Sequence, residues 1–234
     1  VNEEWISDKT RHVVDGLKTQ RLDQPYVRKD GRLVAASWDE ALGVVAEKLK
    51  ATAPERIGAI AGDLAGAEEM FALKELLASL GVKNLDCRAP HEALDPAAGR
   101  ASYVFNTMIA SIDDADAIVI IGSNPRHEAP VLNARIRQRW RRGGVAVALI
   151  GVAAPLAYEY EHIGTGAQAL ADLAEGKHAF ADVLAKAKRP MVIVGAGAYA
   201  RADGAVMLSL AARVSENAAK GAEEGWAVFN VLHA

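Results

Sequence analysis

A single cysteine, Cys87, stands among 234 residues, so the chain has no internal disulfide and cannot hold a cysteine-ligated cluster by itself. Such a scarcity of thiols fits a reducing compartment. Long hydrophobic runs are missing too. No apolar stretch approaches the ~20 residues that a bilayer-spanning helix needs, and the start carries no signal-peptide pattern. Nor does charge of one sign dominate. Lys and Arg number 27 against 30 Asp and Glu, and a net charge of -3 gives no electrostatic reason to expect nucleic acid or an acidic membrane. The six histidines (His12, His91, His127, His162, His178 and His233) show no H-x₃-H spacing, and none pairs with Cys87 in sequence, so no metal-ligand set is read. A G-x-S-x-G nucleophile elbow is lacking as well, which removes Ser123 as a hydrolase nucleophile.

What remains is the composition of an ordinary globular chain, with 51% hydrophobic residues and a mean hydropathy of +0.04. The length suffices for one large domain or two small ones. The chain opens at Val1 and stops at Ala234 directly after a strand-like run, which predicts a piece of a longer polypeptide.

Residues 1–36 are polar and mixed, and read as an entry segment with one short hairpin around 26–34, where Asp30-Gly31 supplies the turn. Ser37-Trp38-Asp39-Glu40 is an S-x-x-E capping box ahead of a helix to about residue 50, with Leu42, Val45, Ala46 and Leu49 as its apolar stripe. A buried strand is expected at 57–61, a helix at 68–80 stopped by Gly81, and a short strand at 84–87. Residues 90–111 are less regular, with one short helix near 97–106. The pattern then resumes with strand 117–121, helix 129–142 ended by Gly143-Gly144, and strand 145–150. A loop at 152–166, helices at 167–174 and 179–187, strand 191–194, a helix from 204 to 214 and a last strand at 226–232 complete the reading. Short apolar strands alternating with helices predict an α/β fold, mostly parallel sheets flanked by helices. Strand, glycine turn and helix recur at Gly122 and Gly195, which predicts two Rossmann-like lobes. We place the first in 37–105 with 167–234 and the second in 106–166, with 1–36 as a connector.

The most informative stretch is 118–138, where an apolar strand enters the turn Gly122-Ser123-Asn124-Pro125 and a helix comes after it. A glycine there lets the backbone approach a ligand, and free N–H groups at the helix start suit a phosphate or pyrophosphate. Capping of the helix by Ser123 or Asn124 accounts for the same residues equally well. Gly195-Ala196-Gly197-Ala198-Tyr199-Ala200 matches the G-x-G-x-x-G/A dinucleotide fingerprint. Its second requirement is an acid about 20 residues on, at the tip of the next strand. Glu216 has the separation but falls on a helix, and the next strand ends Asn230-Val231-Leu232-His233. A tight packing turn is therefore the better reading of Gly195 and Gly197. Arg135, Arg137, Arg139, Arg141 and Arg142 suit the carboxyl end of a helix, with a docking patch for an acidic neighbour as the alternative. Cys87, with Arg88 beside it, reads as a small hydrophobe on a buried strand rather than a reactive thiol. The pairs Asp113-Asp114 and Glu223-Glu224 read as solvated loop carboxylates.

Several segments together resemble one family. Residues 2–42 are similar to the join between the iron–sulfur part and the large domain of molybdopterin oxidoreductases. They resemble more closely the large iron–sulfur subunit (the G-type subunit) of proton-pumping NADH–quinone oxidoreductase, respiratory complex I. Residues 114–137 are similar to that family's pterin-pyrophosphate loop, and 189–204 and 226–234 also match. The resemblance implies that Gly122, Ser123, Asn124, Pro125, Gly195 and Gly197 are vestigial pterin- and phosphate-loop positions that hold no cofactor. In catalytic relatives a cysteine, selenocysteine or serine binds the metal a few residues beyond an N-x-D motif. Here Asn84-Leu85-Asp86 puts that position near Glu92, with Cys87 too early. The resemblance thus implies no catalytic residue, no metal ligand and no cofactor in this piece, with the iron–sulfur clusters in an upstream portion of the parent chain. It implies partners in that portion and in other peripheral-arm subunits, without nucleic acid or membrane insertion. The implied location is the cytoplasmic side of a bacterial inner membrane, or the matrix side in a mitochondrion. The alternatives are a piece of a working molybdopterin-dinucleotide oxidoreductase and, less favoured, a free-standing NAD(P)-binding domain using Gly195–Ala200.

Overall fold

The structure, a computed structural model, describes residues 5–19, 21–62, 64–87 and 93–233. From the amino end come α1 (Asp8–Val13), β1 (Tyr26–Lys29), β2 (Arg32–Ala35), α2 (Trp38–Ala51), β3 (Gly58–Ile60), α3 (Ala67–Ser79) and β4 (Asn84–Asp86). Then follow β5 (Ala117–Ile121), α4 (Pro125–Glu128), α5 (Pro130–Arg141), β6 (Ala146–Ile150), β7 (Glu161–Gly164), α6 (Gly166–Ala174), α7 (Phe180–Lys186), β8 (Pro190–Val194), α8 (Ala196–Tyr199), α9 (Gly204–Ala219) and β9 (Phe229–Val231). The chain divides into two compact units, Lys9–Ala89 and Pro90–Ala234 with Val1–Asp8.

In the smaller unit, β1 and β2 pair antiparallel across Asp30-Gly31. Both turn residues have positive φ, +49° and +79°, the conformation that a two-residue Asp-Gly hairpin loop requires. Ser37 caps α2 by accepting from the Glu40 N–H at 3.2 Å. Glu40's own carboxylate reaches Lys29 at 2.6 Å instead of closing the capping box. β3, α3 and β4 form a βαβ unit with parallel strands, Gly58 opposite Asn84 and Ile60 opposite Asp86. The strand expected to be buried at 57–61 is not: Ile60 is 81% exposed. Cys87 is likewise exposed, not a core residue. Two three-residue strands make too narrow a sheet to bury both faces. Leu77 and Val82 are the only buried apolar side chains of this unit among the described residues.

The larger unit is built on a five-stranded, fully parallel sheet in the order β7-β6-β5-β8-β9. Numbered along the chain this is 3-2-1-4-5, the doubly wound arrangement, with its switch point between β5 and β8. Alternate residues of β5 feed opposite cores. Ala117, Val119 and Ile121 meet Leu170, Phe180, Met207 and Val214 on one face, while Ile118 and Ile120 meet Ile112, Leu132, Ile136 and Tyr158 on the other. Being covered on both sides, β5 and β8 read in sequence as unbroken apolar runs.

The α/β class is as expected, but the division falls elsewhere. β8 pairs with β5 along its whole length, Ala117 opposite Pro190 to Ile121 opposite Val194. Residues on both sides of 166 therefore share one sheet, and the second α/β unit is the βαβ segment before residue 90. The loop expected at 152–166 contains the edge strand β7. The short helix expected near 97–106 is two 3₁₀ turns, Pro96–Ala98 and Arg100–Ser102. Helix 129–142 starts one residue late, because Ala129, which precedes Pro130, sits at φ −139°, ψ 68° outside the helical region.

Tyr158 donates to Asn133 Oδ1 at 2.9 Å, while Asn133 Nδ2 donates to the Leu156 carbonyl at 3.1 Å. Burial first, and then the neighbouring Tyr160, push the Tyr158 hydroxyl far above its ordinary pKa. The folded state keeps this proton when the unfolded chain, titrating near pH ~10, has lost it. Stability is therefore expected to be flat through neutral pH and to fall as pH rises past about 10, with Tyr158→Phe flattening the fall in a urea-midpoint series.

Candidate functional site

Both glycine turns lie at the carboxyl ends of adjacent central strands, Gly122 after β5 and Gly195 after β8. The switch point is where open parallel sheets bind their ligands, so the topology brings all six sequence-derived positions to one place. The two turns are packed against each other. A Cβ added at Gly122 would lie 2.3 Å from Ala198 N and 2.6 Å from Ala198 Cβ. One added at Gly197 would lie 2.6 Å from Gly122 O, and one at Gly195 2.5 Å from Ser123 Cβ. Gly122 also has φ +63°. These glycines thus allow the two backbones to touch each other.

Two donors of the first turn are engaged as well. Ser123 is only 7% exposed, and its Oγ donates to Glu128 Oε2 at 2.6 Å. The Asn124 N–H donates to Glu128 Oε1 at 2.9 Å. Pro125, the first residue of α4, has no N–H to give. Asn124 Oδ1 is buried without a hydrogen-bond partner, and as an acceptor it has nothing to offer a phosphate oxygen. Glu128 escapes a reading of the sequence because it lies four residues after Asn124, one beyond the spacing of a capping box.

The second turn departs from a dinucleotide loop in its helix. α8 has four residues, and the helix is interrupted at 200–203 before α9 begins. Glu216 lies on α9 beside a cleft of about 660 Å³ lined also by Leu208, Asp95 and Phe229, at the amino end of β9 and not at a carboxyl strand tip. Asn230, the middle residue of β9, is fully buried and accepts from the Thr107 N–H at 2.8 Å. At this turn Gly195 and Gly197 pack against Gly122 and Ser123.

Four of the five arginines on α5 and at its end, Arg135, Arg137, Arg139 and Arg142, meet acceptors of the same unit. Arg135 pairs with Asp113 at 2.7 Å, and Arg142 lies 3.6 Å from the same carboxylate. Arg137 donates to the Ala157 carbonyl, and Arg139 to the carbonyls of Ala115, Gly143 and Gly144. Arg139 therefore satisfies carbonyls just beyond the helix end, which the dipole argument anticipates. Asp114 and Glu223, expected to be merely solvated, both approach Arg189, at 3.6 and 2.9 Å. Among the described residues no group of three or more His, Cys, Asp or Glu could hold a metal ion. Glu92, Arg88 and His91 lie outside the described residues, and Cys87 directly follows β4. No helix among the described residues is long and apolar enough to cross a membrane.

The molybdopterin oxidoreductase family matches residues 21–234. Over its full length the chain is similar to the G subunits of NADH-quinone oxidoreductases, with 46% identity to that of Rickettsia bellii (strain RML369-C) over 233 residues. Identity is 47% to that of Rickettsia conorii (strain ATCC VR-613 / Malish 7) and 42% to that of Rickettsia prowazekii (strain Madrid E). The chain spans about a third (34%) of the length of these relatives. Among solved structures, one chain of the formyltransferase/hydrolase complex from Methylorubrum extorquens, crystallised with methylofuran, shares the fold. It superposes with a TM-score of 0.61 at 21% identity, over 89% of this chain and 60% of that one.

Proposed function

Because the chain belongs to the molybdopterin oxidoreductase family, we propose that it forms the molybdopterin-oxidoreductase-like part of the large iron–sulfur subunit of a proton-pumping NADH–quinone oxidoreductase. In this reading it serves as a scaffold without turnover of its own. The observation that carries the reading is identity of 42–47% along the whole chain to relatives that bear the name of that enzyme's G subunit. Its partners are then the cluster-bearing portion of the same polypeptide and neighbouring subunits of the peripheral arm, on the cytoplasmic side of a bacterial inner membrane. The assembled enzyme would pass electrons from NADH to quinone, with the clusters held upstream of this part.

Support for the non-catalytic role comes from the switch point. The family's cofactor is a pterin dinucleotide, whose phosphates need hydrogen-bond donors and open space beside the strand ends. The residues present do not fit that group. The backbone of one turn closes on the other at Gly122, Gly195 and Gly197, and Glu128 takes the Ser123 hydroxyl and the Asn124 N–H. The six glycine-turn residues accordingly keep the shape of a cofactor loop and position the two halves of the sheet.

Metal and pterin analysis of the full-length protein purified from its native host tests this. Iron without molybdenum, tungsten or releasable pterin is the expected result. Near-stoichiometric pterin with either metal would replace the scaffold by a working molybdoenzyme. NADH oxidation by this chain alone would also end the scaffold reading.

A further inference from the structure

One side chain supplies both contacts that fill the Gly122–Pro125 turn. Glu128 directs one carboxylate oxygen to the Ser123 hydroxyl and the other to the Asn124 N–H, at 2.6 and 2.9 Å. Hydrogen bonds to a carboxylate are short and strong, and these two span a turn whose Ser123 is nearly inaccessible to water. The carboxylate approaches the turn from α4, so chain connectivity holds it there at a high effective concentration. A second anion beside it would be repelled by its charge, and one displacing it would have to outcompete a tethered carboxylate.

We propose that Glu128 is an internal anion standing where a cofactor phosphate would otherwise be held, and that it is the residue that closes this turn to phosphate ligands. The proposal rests on the scaffold reading and narrows it to one carboxylate. An ordinary helix cap in which Glu128 reaches back to the Asn124 N–H would make the same contacts. The two differ in the consequence of removing the side chain. A cap predicts lost stability alone, whereas an internal anion predicts a gained affinity.

The test uses the full-length protein, its Ser123→Ala, Glu128→Ala and Glu128→Gln variants, and the double variant Ser123→Ala with Glu128→Ala. Each is titrated with inorganic pyrophosphate at low ionic strength, followed by calorimetry and by phosphorus NMR line width. The unaltered protein is expected to give no saturable binding. Glu128→Ala should bind at least tenfold more tightly than the limit set by the parent, and the double variant should lose that gain. Glu128→Gln keeps the size and one acceptor without the charge, and carries the test if the alanine variant fails to fold. Saturable binding to the unaltered protein that Ser123→Ala removes would overturn the proposal, because the turn would then be open with Glu128 in place. No gain in either folded variant would overturn it as well, leaving backbone packing as what closes the turn. Failure of the scaffold reading would show separately, as pterin with molybdenum or tungsten in the native protein.

Discussion

Gly122→Ala should cost the larger unit several kcal/mol, enough to leave it largely unfolded if its stability is that of an ordinary domain of ~5–15 kcal/mol. Two effects add. The left-handed φ of +63° disfavours alanine by ~1–2 kcal/mol. The greater effect is steric, because the new Cβ would stand 2.3 Å from Ala198 N and 2.8 Å from Ala198 Cα. Those are backbone atoms of α8, at the end of the central strand β8, and cannot swing aside as the tip of a flexible side chain can. Relief means moving the β8 turn away from the β5 turn, which disturbs the pairing that unites the sheet. Gly197→Ala attacks the same contact from the other side, 2.6 Å from Gly122 O, so the double variant should lose less than the sum of the two. Gly43→Ala, inside α2 with nothing within 4 Å, is the control and should stabilise its helix by up to about 1 kcal/mol. Urea denaturation followed by circular dichroism measures all four variants. A Gly122→Ala cost below ~1 kcal/mol would mean that the turns can separate freely, and the glycine would then have to be explained by a ligand rather than by packing.

The central strands are legible because a strand covered on both faces must be apolar without interruption. Residues 117–121 and 190–194 announce that by composition alone. The edge strand β7, Glu161–Gly164, carries no such signature. Its Glu161 and His162 are exposed, and its pairing with β6 shifts register between Leu149 and Ile150. The same logic misleads at Ile60, where an apolar run reads as buried although burial depends on what lies across from it. Both glycine turns can be read as turns, and each as a ligand loop or a packing corner. Their closeness depends on strand order, which local pattern does not encode. Only when β8 returns to the far side of β5 do Gly122, Gly195 and Gly197 meet. The role of Glu128 is hidden for a related reason. Pro125 and the short α4 bring a residue four positions past Asn124 back onto its N–H, and sequence rules look for that acceptor three positions on.

The second large effect is expected at Asn230. This side chain is fully buried at the outer strand β9, where its Oδ1 accepts from the Thr107 N–H at 2.8 Å and its Nδ2 donates to the Val228 carbonyl at 3.1 Å. Around it the segment from Ala101 to Thr107 is laid along the free edge of β9. Val231 N–H donates to the Val104 carbonyl, Thr107 Oγ1 to the Ala227 carbonyl, and Asn106 Nδ2 to the carbonyls of Ala101 and Phe229. The segment covers an edge that would otherwise present unpaired backbone groups to another chain. Asn230→Ala removes the acceptor of a buried N–H and leaves a cavity beside it, so a loss of about 2–4 kcal/mol is expected. Asn106→Ala, whose neighbours can still be reached by water, should lose only about 1–2 kcal/mol. Hydrogen exchange gives the sharper test. Because the Val231 amide is held by Val104, it should lose protection in Asn230→Ala by more than the global change in stability explains, while the Val119 amide in the middle of β5 should follow the global change alone. Equal loss at both amides would mean that the arm and the sheet open as one unit, and that Asn230 only fills space in a common core.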